Sequence, residues 1–347
     1  MDKLGEDIVK AYEKKLNYLS SGVVISFAET GTALGHSVFN YLKSDYEFLH
    51  TTREIIASKK TLDFLEEHSH ATNHNLYYED LKNFKIGEEI ILVDDEITTG
   101  NTCINLIKKI NDLYPKNRYT ICSILNWMDK EAFDRFEDLK KDLNTEIEFV
   151  YLYKGSFDFK CDENYIENLI LESEKKDLDF QNNNKNLQAS YIYLDIDKYE
   201  KNQKYIKYTG RFGINKQNQQ NLINQVKKEC KKLNVGNKKT LFLGSEEFMY
   251  IPMLFAKEFG ENVFYHSTTR SPIVSLDIEN YPIKSKFKHH SIYNEEVVNY
   301  IYNIDKYDYR ECYFFCEINK KEEEFKEIID IISNTNIEKL NIVMFNK

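Results

Sequence analysis

Residues 90–102 constrain this chain more than any other part of its sequence. They read Ile-Ile-Leu-Val-Asp-Asp-Glu-Ile-Thr-Thr-Gly-Asn-Thr. The apolar run predicts a buried strand, and Asp94 and Asp95 follow at its C-terminal end, where open α/β sheets bind their ligands. The Thr-Thr-Gly turn then leads into a helix, whose unpaired N–H groups and dipole favour an anion. The pattern therefore predicts a phosphate-binding loop with two carboxylates beside it.

The alternative interpretation of this segment is a strand, an acidic turn and a capped helix, since Asp and Thr are good capping residues. Capping accounts for one or two positions, but not for Asp-Asp followed by Thr-Thr-Gly after a fully apolar strand. The segment also lacks the G-x-x-x-x-G-K-[ST] spacing of a Walker A motif. We therefore adopt the sugar-phosphate interpretation.

The chain is predicted to fold into two α/β domains, as its 347 residues favour. Apolar strand patterns alternate with helix patterns, which is typical of a parallel sheet covered on both faces. We place the first domain at 1–155, a charged, Asn-rich linker or excursion at 156–190 and the second domain at 191–347.

A weak internal repeat links the two halves. Glu29 and Glu246 each follow a strand, and Thr51-Thr52-Arg53 matches Thr268-Thr269-Arg270 at the same offset of 217 (246 − 29 and 270 − 53). The match indicates either two related α/β halves, the second being a degenerate repeat, or a chance coincidence of a few residues. The second half has no Thr-Thr-Gly loop after its corresponding strand.

Composition excludes several classes of function. A net charge of −10 argues against a nucleic acid polymer as partner. No run approaches 18 apolar residues, so no membrane span is predicted. The acidic start lacks an apolar segment, so no secretory signal is expected. The 6 scattered cysteines form no CxxC pair and favour reduced thiols in a cytoplasmic protein.

Residues 90–102 resemble the phosphoribosyl pyrophosphate signature of type I phosphoribosyltransferases, whose domain is Rossmann-like. The resemblance implies that Asp94 and Asp95 are catalytic, hold the ribose hydroxyls and bind Mg²⁺ mostly through the substrate. It also implies that the 5′-phosphate and ribose are bound by the residues that follow: Glu96, Ile97, Thr98, Thr99, Gly100, Asn101 and Thr102. Two of these depart from the family pattern. Glu96 is a third acid, and Thr98 replaces a carboxylate of the 6-oxopurine enzymes, which argues against hypoxanthine or guanine as substrate.

The first strand is followed by a loop of small residues that resembles the family's pyrophosphate loop. Ala28, Glu29, Thr30 and Gly31 would grip pyrophosphate through backbone N–H groups. Arg53, just after the second strand, matches a basic position that meets the pyrophosphate, and we count it as catalytic because a guanidinium suits that leaving group. An ordinary strand, turn and helix is the alternative for this loop.

Residues 61–85 occupy the place of the family's mobile hood, which closes over the reacting centre. His68 and His70 would then contact the substrate. A solvated polar loop and a zinc site are the alternatives, although no Cys partner or H-E-x-x-H motif is present.

A more specific resemblance covers most of the chain. Phe27-Ala28-Glu29-Thr30, residues 66–72 and Asp94-Asp95-Glu96 are similar to the orthogonal phosphoribosyltransferases of bacterial tellurium-resistance gene clusters. In that family a TRSP domain follows the transferase domain, and residues 209–213 and 267–273 resemble its marks.

The second half carries polar residues at predicted strand ends. They form a candidate second site, or a wall of the first, and comprise Arg211, Glu246, Glu247, Thr268, Thr269 and Arg270. Alternatively, Arg270 pairs with Glu246 or Glu247 as a structural ion pair. We interpret His289-His290 as an exposed polar loop rather than a ligand pair.

The resemblance implies a phosphoribosyltransferase that uses phosphoribosyl pyrophosphate and Mg²⁺ to make a nucleotide-like metabolite, or runs the reverse reaction, in a tellurium-resistance pathway. Its partners would be phosphoribosyl pyrophosphate, an unidentified acceptor and, as one option, a second copy of the chain. The alternatives are a non-catalytic regulator that binds the same ligand or a nucleotide, and a protein-interaction role for the C-terminal half.

Overall fold

The computed structural model describes residues 1–56, 61–65, 73–78, 81–158, 160, 162, 164–165, 167–171 and 187–346. The chain folds into two compact units. The first unit comprises Met1–Asp158 and Lys207–Leu222, and the second comprises Phe159–Ile206 and Ile223–Lys347. The expected division at 155 and 190 stays a prediction, but it does not anticipate that Lys207–Leu222 groups with the first unit.

The first unit is built on a five-stranded parallel sheet in the order β2-β1-β5-β6-β7. Its strands are β1 (Ser21–Ser26), β2 (Asp45–His50), β5 (Glu89–Ile97), β6 (Arg118–Asn126) and β7 (Glu146–Lys154). A hairpin of β3 (Thr61–Leu65) and β4 (Asn73–Tyr77) lies between β2 and β5 in sequence. Its helices are α1 (Asp2–Lys15), α2 (Thr30–Tyr41), α3 (Lys82–Ile86), α4 (Asn101–Leu113) and α5 (Lys130–Leu143).

The central strands are apolar because both faces of the sheet are covered. Val23, Ile25, Ile90 and Leu92 are fully buried and form one core with apolar residues of α4 and α5. Burying such side chains contributes about 1.5–3 kcal/mol each. The sequence pattern predicts a strand at 90–93 and a helix near 101–113. Helix α4 has these bounds, whereas β5 extends to Ile97.

A buried carboxylate stabilises the end of this sheet opposite Asp94 and Asp95. Glu89 is fully buried and accepts hydrogen bonds from the hydroxyls of Tyr12 and Tyr46. Arg118, its cross-strand partner on β6, forms an ion pair with it at 2.7 Å. The network joins α1, β2, β5 and β6 away from the acidic strand end.

The second unit has a parallel sheet of the same design, in the order β12-β11-β15-β16-β8. These strands are β8 (Ala189–Leu194), β11 (Thr240–Gly244), β12 (Val263–Ser267), β15 (Glu311–Phe315) and β16 (Lys339–Phe345). The second unit also contains the short strands β9 (Lys198–Tyr199) and β10 (Asn202–Ile206) and the hairpin of β13 (Lys286–His290) and β14 (Val298–Tyr302). The helices of this part include α6 (Lys216–Glu229), which begins in the first unit, α7 (Tyr250–Lys257) and α8 (Lys326–Ser333).

The two sheets correspond strand by strand once the chain order is permuted. Strand β8 holds the place of β7, although it precedes the rest of its sheet in sequence. The Glu89–Arg118 pair recurs at the same register as Glu311–Lys339, at 2.6 Å. This agreement favours the related-halves interpretation of the internal repeat over chance.

The sequence pattern does not predict several of the helices and strands. The hairpins β3–β4 and β13–β14, helix α3 and the strands β8, β9 and β10 were not expected. The interpretation of His289 as exposed is wrong, since it is buried on β13, where desolvation lowers its pKa. Among the described residues, no helix is long and apolar enough to cross a membrane.

The two equivalent ion pairs supply a matched test of burial. In Arg118→Met the buried Glu89 loses its cation, and we expect a loss of about 3–5 kcal/mol in the free energy of unfolding. Lys339→Met is the control, because the Lys339 side chain is 49% exposed, and we expect a loss of about 1 kcal/mol or less. Denaturant unfolding of both variants measures the difference. Equal losses would contradict the assigned role of the buried network.

Candidate functional site

The predicted acidic residues lie on strand β5, which extends further than the neighbouring strand β1. Strand β5 pairs with β1 only as far as Val93, but it continues to pair with β6 as far as Ile97. Asp94 and Asp95 are therefore half-buried in the extended part of the strand, rather than in a turn after it. The Asp95 N–H donates to Asp94 Oδ1 at 3.0 Å. The extension holds both carboxylates beside the open end of β1.

The third acid has a different environment. Glu96 is exposed and accepts a hydrogen bond from the indole N–H of Trp127 at 3.1 Å. Ile97 is buried in the core, so its role is packing. Of the predicted ribose and phosphate residues, the exposed or half-buried ones are Glu96, Thr98, Thr99, Asn101 and Thr102.

The turn after β5 has the backbone conformation that an anion-binding loop needs. Gly100 has φ of 73°, in the left-handed region, and it precedes the first residue of α4. A Cβ at this position would lie 2.5 Å from the Phe136 ring, so only glycine fits. The Thr99 hydroxyl accepts from the Asn101 N–H at 3.4 Å, and Arg135 donates to the Thr99 carbonyl at 2.9 Å. Because Gly100 has no side chain, none at this N-cap position keeps an anion from the N–H groups that follow Asn101 in the first turn.

The predicted pyrophosphate loop lies against the acidic strand. The Phe27 N–H donates to the Val93 carbonyl at 3.2 Å, which ties the start of the loop to β5. A Cβ on Gly31 would lie 3.2 Å from Asp94 Oδ1, so the glycine allows this carboxylate to approach the loop closely. The Ala28–Glu29 peptide is cis. Thr30 is exposed at the start of α2.

The Arg53 guanidinium is bound to Glu29 of the predicted pyrophosphate loop. Both side chains are largely buried. An equivalent pair joins Arg270 to Glu246 at 3.0 Å in the second unit. The pair therefore stabilises a loop common to both folds, and any contact of Arg53 with a ligand anion has to be shared with Glu29.

Two residues that the sequence reasoning passed over hold this loop in place. The Thr51 hydroxyl accepts from the Ala28 N–H at 2.9 Å and shares a hydrogen bond of 2.8 Å with His74 of β4. Thr52 and Asn75 exchange two backbone hydrogen bonds of 2.9 Å. The β3–β4 hairpin is thus attached to the end of β2. The recurring Thr-Thr-Arg triplet was the available signal for Thr51, whereas nothing local marked His74.

The expected hood residues His68 and His70 lie outside the described residues. Among the residues that are described, no group of three or more His, Cys, Asp or Glu side chains is placed to hold a metal ion. Asp94 and Asp95 nevertheless fit Mg²⁺, which is often held by one or two carboxylates together with substrate phosphates. A cation here would depend on the substrate for most of its ligands.

The buried thiol beside the site is inert. Burial, reinforced by the charge of Asp94, raises the pKa of Cys103. Its thiolate is therefore scarce at neutral pH, which argues against nucleophilic catalysis by cysteine. The other described cysteines are also buried and free.

The second unit lacks the acidic pair. By strand register, Cys316 and Glu317 follow β15 as Asp94 and Asp95 follow Val93 of β5. The Cys316 thiol donates to the Ile318 carbonyl at 2.9 Å, and Glu317 accepts from the Ile206 N–H at 3.1 Å. These groups serve internal hydrogen bonds.

The predicted second-site residues are also engaged internally. Glu246 accepts from Arg270 and from the Ser291 hydroxyl, and its N–H donates to the Thr268 hydroxyl at 2.9 Å. Burial raises the pKa of Glu246, although both partners oppose the shift. The Tyr293 hydroxyl fills the adjacent space, 2.6 Å from Ser245 Oγ and 3.1 Å from the Glu317 nitrogen.

The six second-site candidates do not share one compact unit. Arg211 belongs to the first, whereas Glu246, Glu247, Thr268, Thr269 and Arg270 belong to the second. Of the two interpretations of Arg270, the structure shows the ion pair with Glu246.

The left-handed glycine makes the anion loop testable. Gly100→Ala adds a Cβ that meets Phe136 and strains the backbone, so we expect affinity for ribose 5-phosphate to fall about tenfold or more. Gly260→Ala is the matched control, because Gly260 has φ of 78° with nothing within 4 Å of an added Cβ. Calorimetric titration of both variants gives the comparison. Equal affinities would show that the loop does not bind the phosphate.

Among solved structures, the chain is similar to adenine phosphoribosyltransferases at low sequence identity. The enzyme of Giardia lamblia is 18% identical, with 44% of this chain and 79% of that chain covered and a TM-score of 0.33. Those of Thermoanaerobacter pseudethanolicus (16%, 45% and 79%, TM-score 0.30) and Trypanosoma brucei (14%, 49% and 76%, TM-score 0.31) are similar to the same extent. No curated protein is significantly similar in sequence.

Comparison with protein families is more informative. Residues 1–156 match the family model described as "Phosphoribosyl transferase". Residues 208–332 match the model described as "TRSP domain C terminus to PRTase_2", so the two regions occur in the order which that description specifies. The chain therefore belongs to the family of phosphoribosyltransferases that carry a C-terminal TRSP domain.

Proposed function

We propose that the first unit transfers a phosphoribosyl group and that phosphoribosyl pyrophosphate is its donor. One observation carries the proposal. The half-buried Asp94 and Asp95, the left-handed Gly100 loop and the small-residue loop at Gly31 lie together at the carboxyl edge of one parallel sheet. These elements match in order the acidic pair, the phosphate loop and the pyrophosphate loop that the reaction requires.

The site suits a reaction that separates charge. Breaking the anomeric C–O bond leaves positive charge on the ribose ring and negative charge on pyrophosphate. Asp94 and Asp95 orient the ribose hydroxyls and favour the cationic ring through their negative charge. The N–H groups of the loop at Glu29–Gly31 and the Arg53 guanidinium, shared with Glu29, stabilise the departing anion.

Mg²⁺, held by the substrate with Asp94 and Asp95, would supply further charge neutralisation of the pyrophosphate. The β3–β4 hairpin is attached to the end of β2 through Thr52 and Asn75, where a hood would exclude water from the reacting centre. We keep His68 and His70 as predicted contacts of that hood.

We propose the acceptor and the product only as chemical classes. The acceptor is a nitrogen heterocycle or a related nucleophile, and the product is a nucleotide-like metabolite, or the substrate of the reverse reaction. Thr98 is exposed and carries no charge, which disfavours a 6-oxopurine. We propose a place for this chemistry in a bacterial tellurium-resistance pathway, in keeping with the TRSP domain, and a cytoplasmic location.

A second candidate function is a non-catalytic sensor of the same ligand. It is favoured by the Glu29–Arg53 pair, which engages the cation that would meet pyrophosphate. Release of pyrophosphate in a cell extract by the wild-type protein, lost in the aspartate variant below, separates the two functions.

The acidic pair provides the direct test. In Asp94→Asn/Asp95→Asn, loss of both charges removes the ribose and Mg²⁺ ligands, so we expect affinity for phosphoribosyl pyrophosphate with Mg²⁺ to fall about 100-fold. The matched control is Glu317→Gln, the carboxylate at the register position of Asp95 in the second unit, and we expect affinity within about twofold of the wild type. Calorimetry measures both.

Two outcomes would contradict the proposal. One is a wild-type protein that does not bind phosphoribosyl pyrophosphate. The other is equal binding by the wild type and the aspartate variant.

A further inference from the structure

One segment of the TRSP region folds with the transferase unit. Lys207–Leu222, which we call the strap, groups with Met1–Asp158, although the TRSP family match begins at residue 208. We propose that the strap is a working part of the phosphoribosyl pyrophosphate site. It fixes the end of β2 and thereby positions the pyrophosphate loop, with Arg211 as its positioning residue. This inference rests on the proposed function.

The strap closes the edge of the first sheet. Strand β2 is the edge strand, and edge strands present unpaired backbone groups that proteins usually cover. Phe48 and Ile214 exchange two backbone hydrogen bonds of 2.8 Å, and the His50 N–H donates to the Gly210 carbonyl at 3.2 Å. The last bond engages the final residue of β2, directly before Thr51.

That position connects the strap to the pyrophosphate loop. The Thr51 N–H donates to the Ser26 carbonyl at 2.9 Å, and the Thr51 hydroxyl accepts from the Ala28 N–H at 2.9 Å. The path from Gly210 to Ala28 therefore runs through His50 and Thr51 only. A shift of the strap moves the loop that would bind pyrophosphate.

The strap also contacts the hairpin. The Phe212 ring lies 6.2 Å from the ring of Tyr77 on β4. The Tyr77 hydroxyl donates to the Glu54 carbonyl at 3.0 Å and accepts from the Ile56 N–H at 2.7 Å. Tyr77 thus holds the backbone just after Arg53, so the strap supports that segment from its other side.

Two glycines permit this close packing. Gly210 has φ of 92°, and an added Cβ would lie 2.4 Å from the Phe48 ring. Gly213 has φ of 83°, and its Cβ would lie 2.2 Å from Leu81. Between them, Arg211 is only 2% exposed. A guanidinium buried to this extent is costly unless polar or acidic groups partner it, so replacing it should displace the strap between the two glycines.

Lys216 anchors the far end of the strap. Its ammonium donates to the Phe39 carbonyl and lies 4.3 Å from the centre of the Phe39 ring. Burial lowers its pKa to about 8. The strap is thereby attached to α2, the helix that follows the pyrophosphate loop.

A parallel sheet of this design does not require a strap along its edge strand. The second unit repeats the sheet, yet among its described residues the corresponding edge strand β12 pairs only with β11. The strap accompanies the unit that has the acidic pair and the glycine loop. This contrast favours a role in the site over a role in the architecture.

The experiment compares two ligands that share the ribose 5-phosphate part. In Gly210→Ala the strap is displaced from Phe48, and we expect affinity for phosphoribosyl pyrophosphate to fall about tenfold or more. Affinity for ribose 5-phosphate should stay within about twofold, because residues 98–102 follow β5, which is separated by β1 from the edge strand β2 that the strap covers. Gly260→Ala again controls for the left-handed backbone, and we expect it to leave both affinities unchanged.

A second variant guards against loss of folding. Arg211→Gln leaves the glycines intact, and we expect the same selective loss, with recovery in Arg211→Lys. Equal weakening of both ligands, or no change in either, would overturn the inference. A wild-type protein that binds neither ligand would instead refute the proposed function itself.

Discussion

The continuation of β5 beyond the end of β1 is the feature on which the rest of the site depends. Because β6 continues to pair with it, the strand carries Asp94 and Asp95 past its other neighbour and leaves one side of them open. The small-residue loop after β1 occupies that side, and Gly31 allows its close approach to Asp94. The strand then ends at a turn whose glycine could not be replaced without meeting Phe136. Backbone pairing and two glycines thus determine where the carboxylates and the anion loop meet.

The second unit has the same sheet design without the acidic pair and the glycine loop. It retains the sheet order, the Glu311–Lys339 pair at the register of Glu89–Arg118, and the Glu246–Arg270 pair. Its strand end instead carries Cys316 and Glu317, both engaged in internal hydrogen bonds, and Tyr293 fills the space beside them. The ion pair is therefore part of the shared scaffold, whereas the acidic pair and the glycine loop are specific to the first unit.

Much of the first unit was predictable, because a fully buried parallel strand is a run of apolar residues and its ligand-binding end is marked by a change to acids. Helix α4 was predicted correctly because it directly follows this strand and its acidic end. The hairpins were not predictable, since residues such as His74 and His289 are polar yet buried, and their partners are distant in sequence. The strap was missed because Gly210 and Gly213 pack against Phe48 and Leu81, which are distant in sequence. The repeat was found at an offset of 217, but by backbone hydrogen bonding Glu246 replaces Ala28 rather than Glu29.

A crystal structure of the protein with phosphoribosyl pyrophosphate and Mg²⁺ tests the central claim most directly. The account predicts the 5′-phosphate on the backbone N–H groups that follow Gly100, the ribose hydroxyls at Asp94 and Asp95, and the pyrophosphate at the loop of Ala28 to Gly31. A ligand bound at the end of β15 in the second unit, or one that leaves both aspartates without contact, would contradict it.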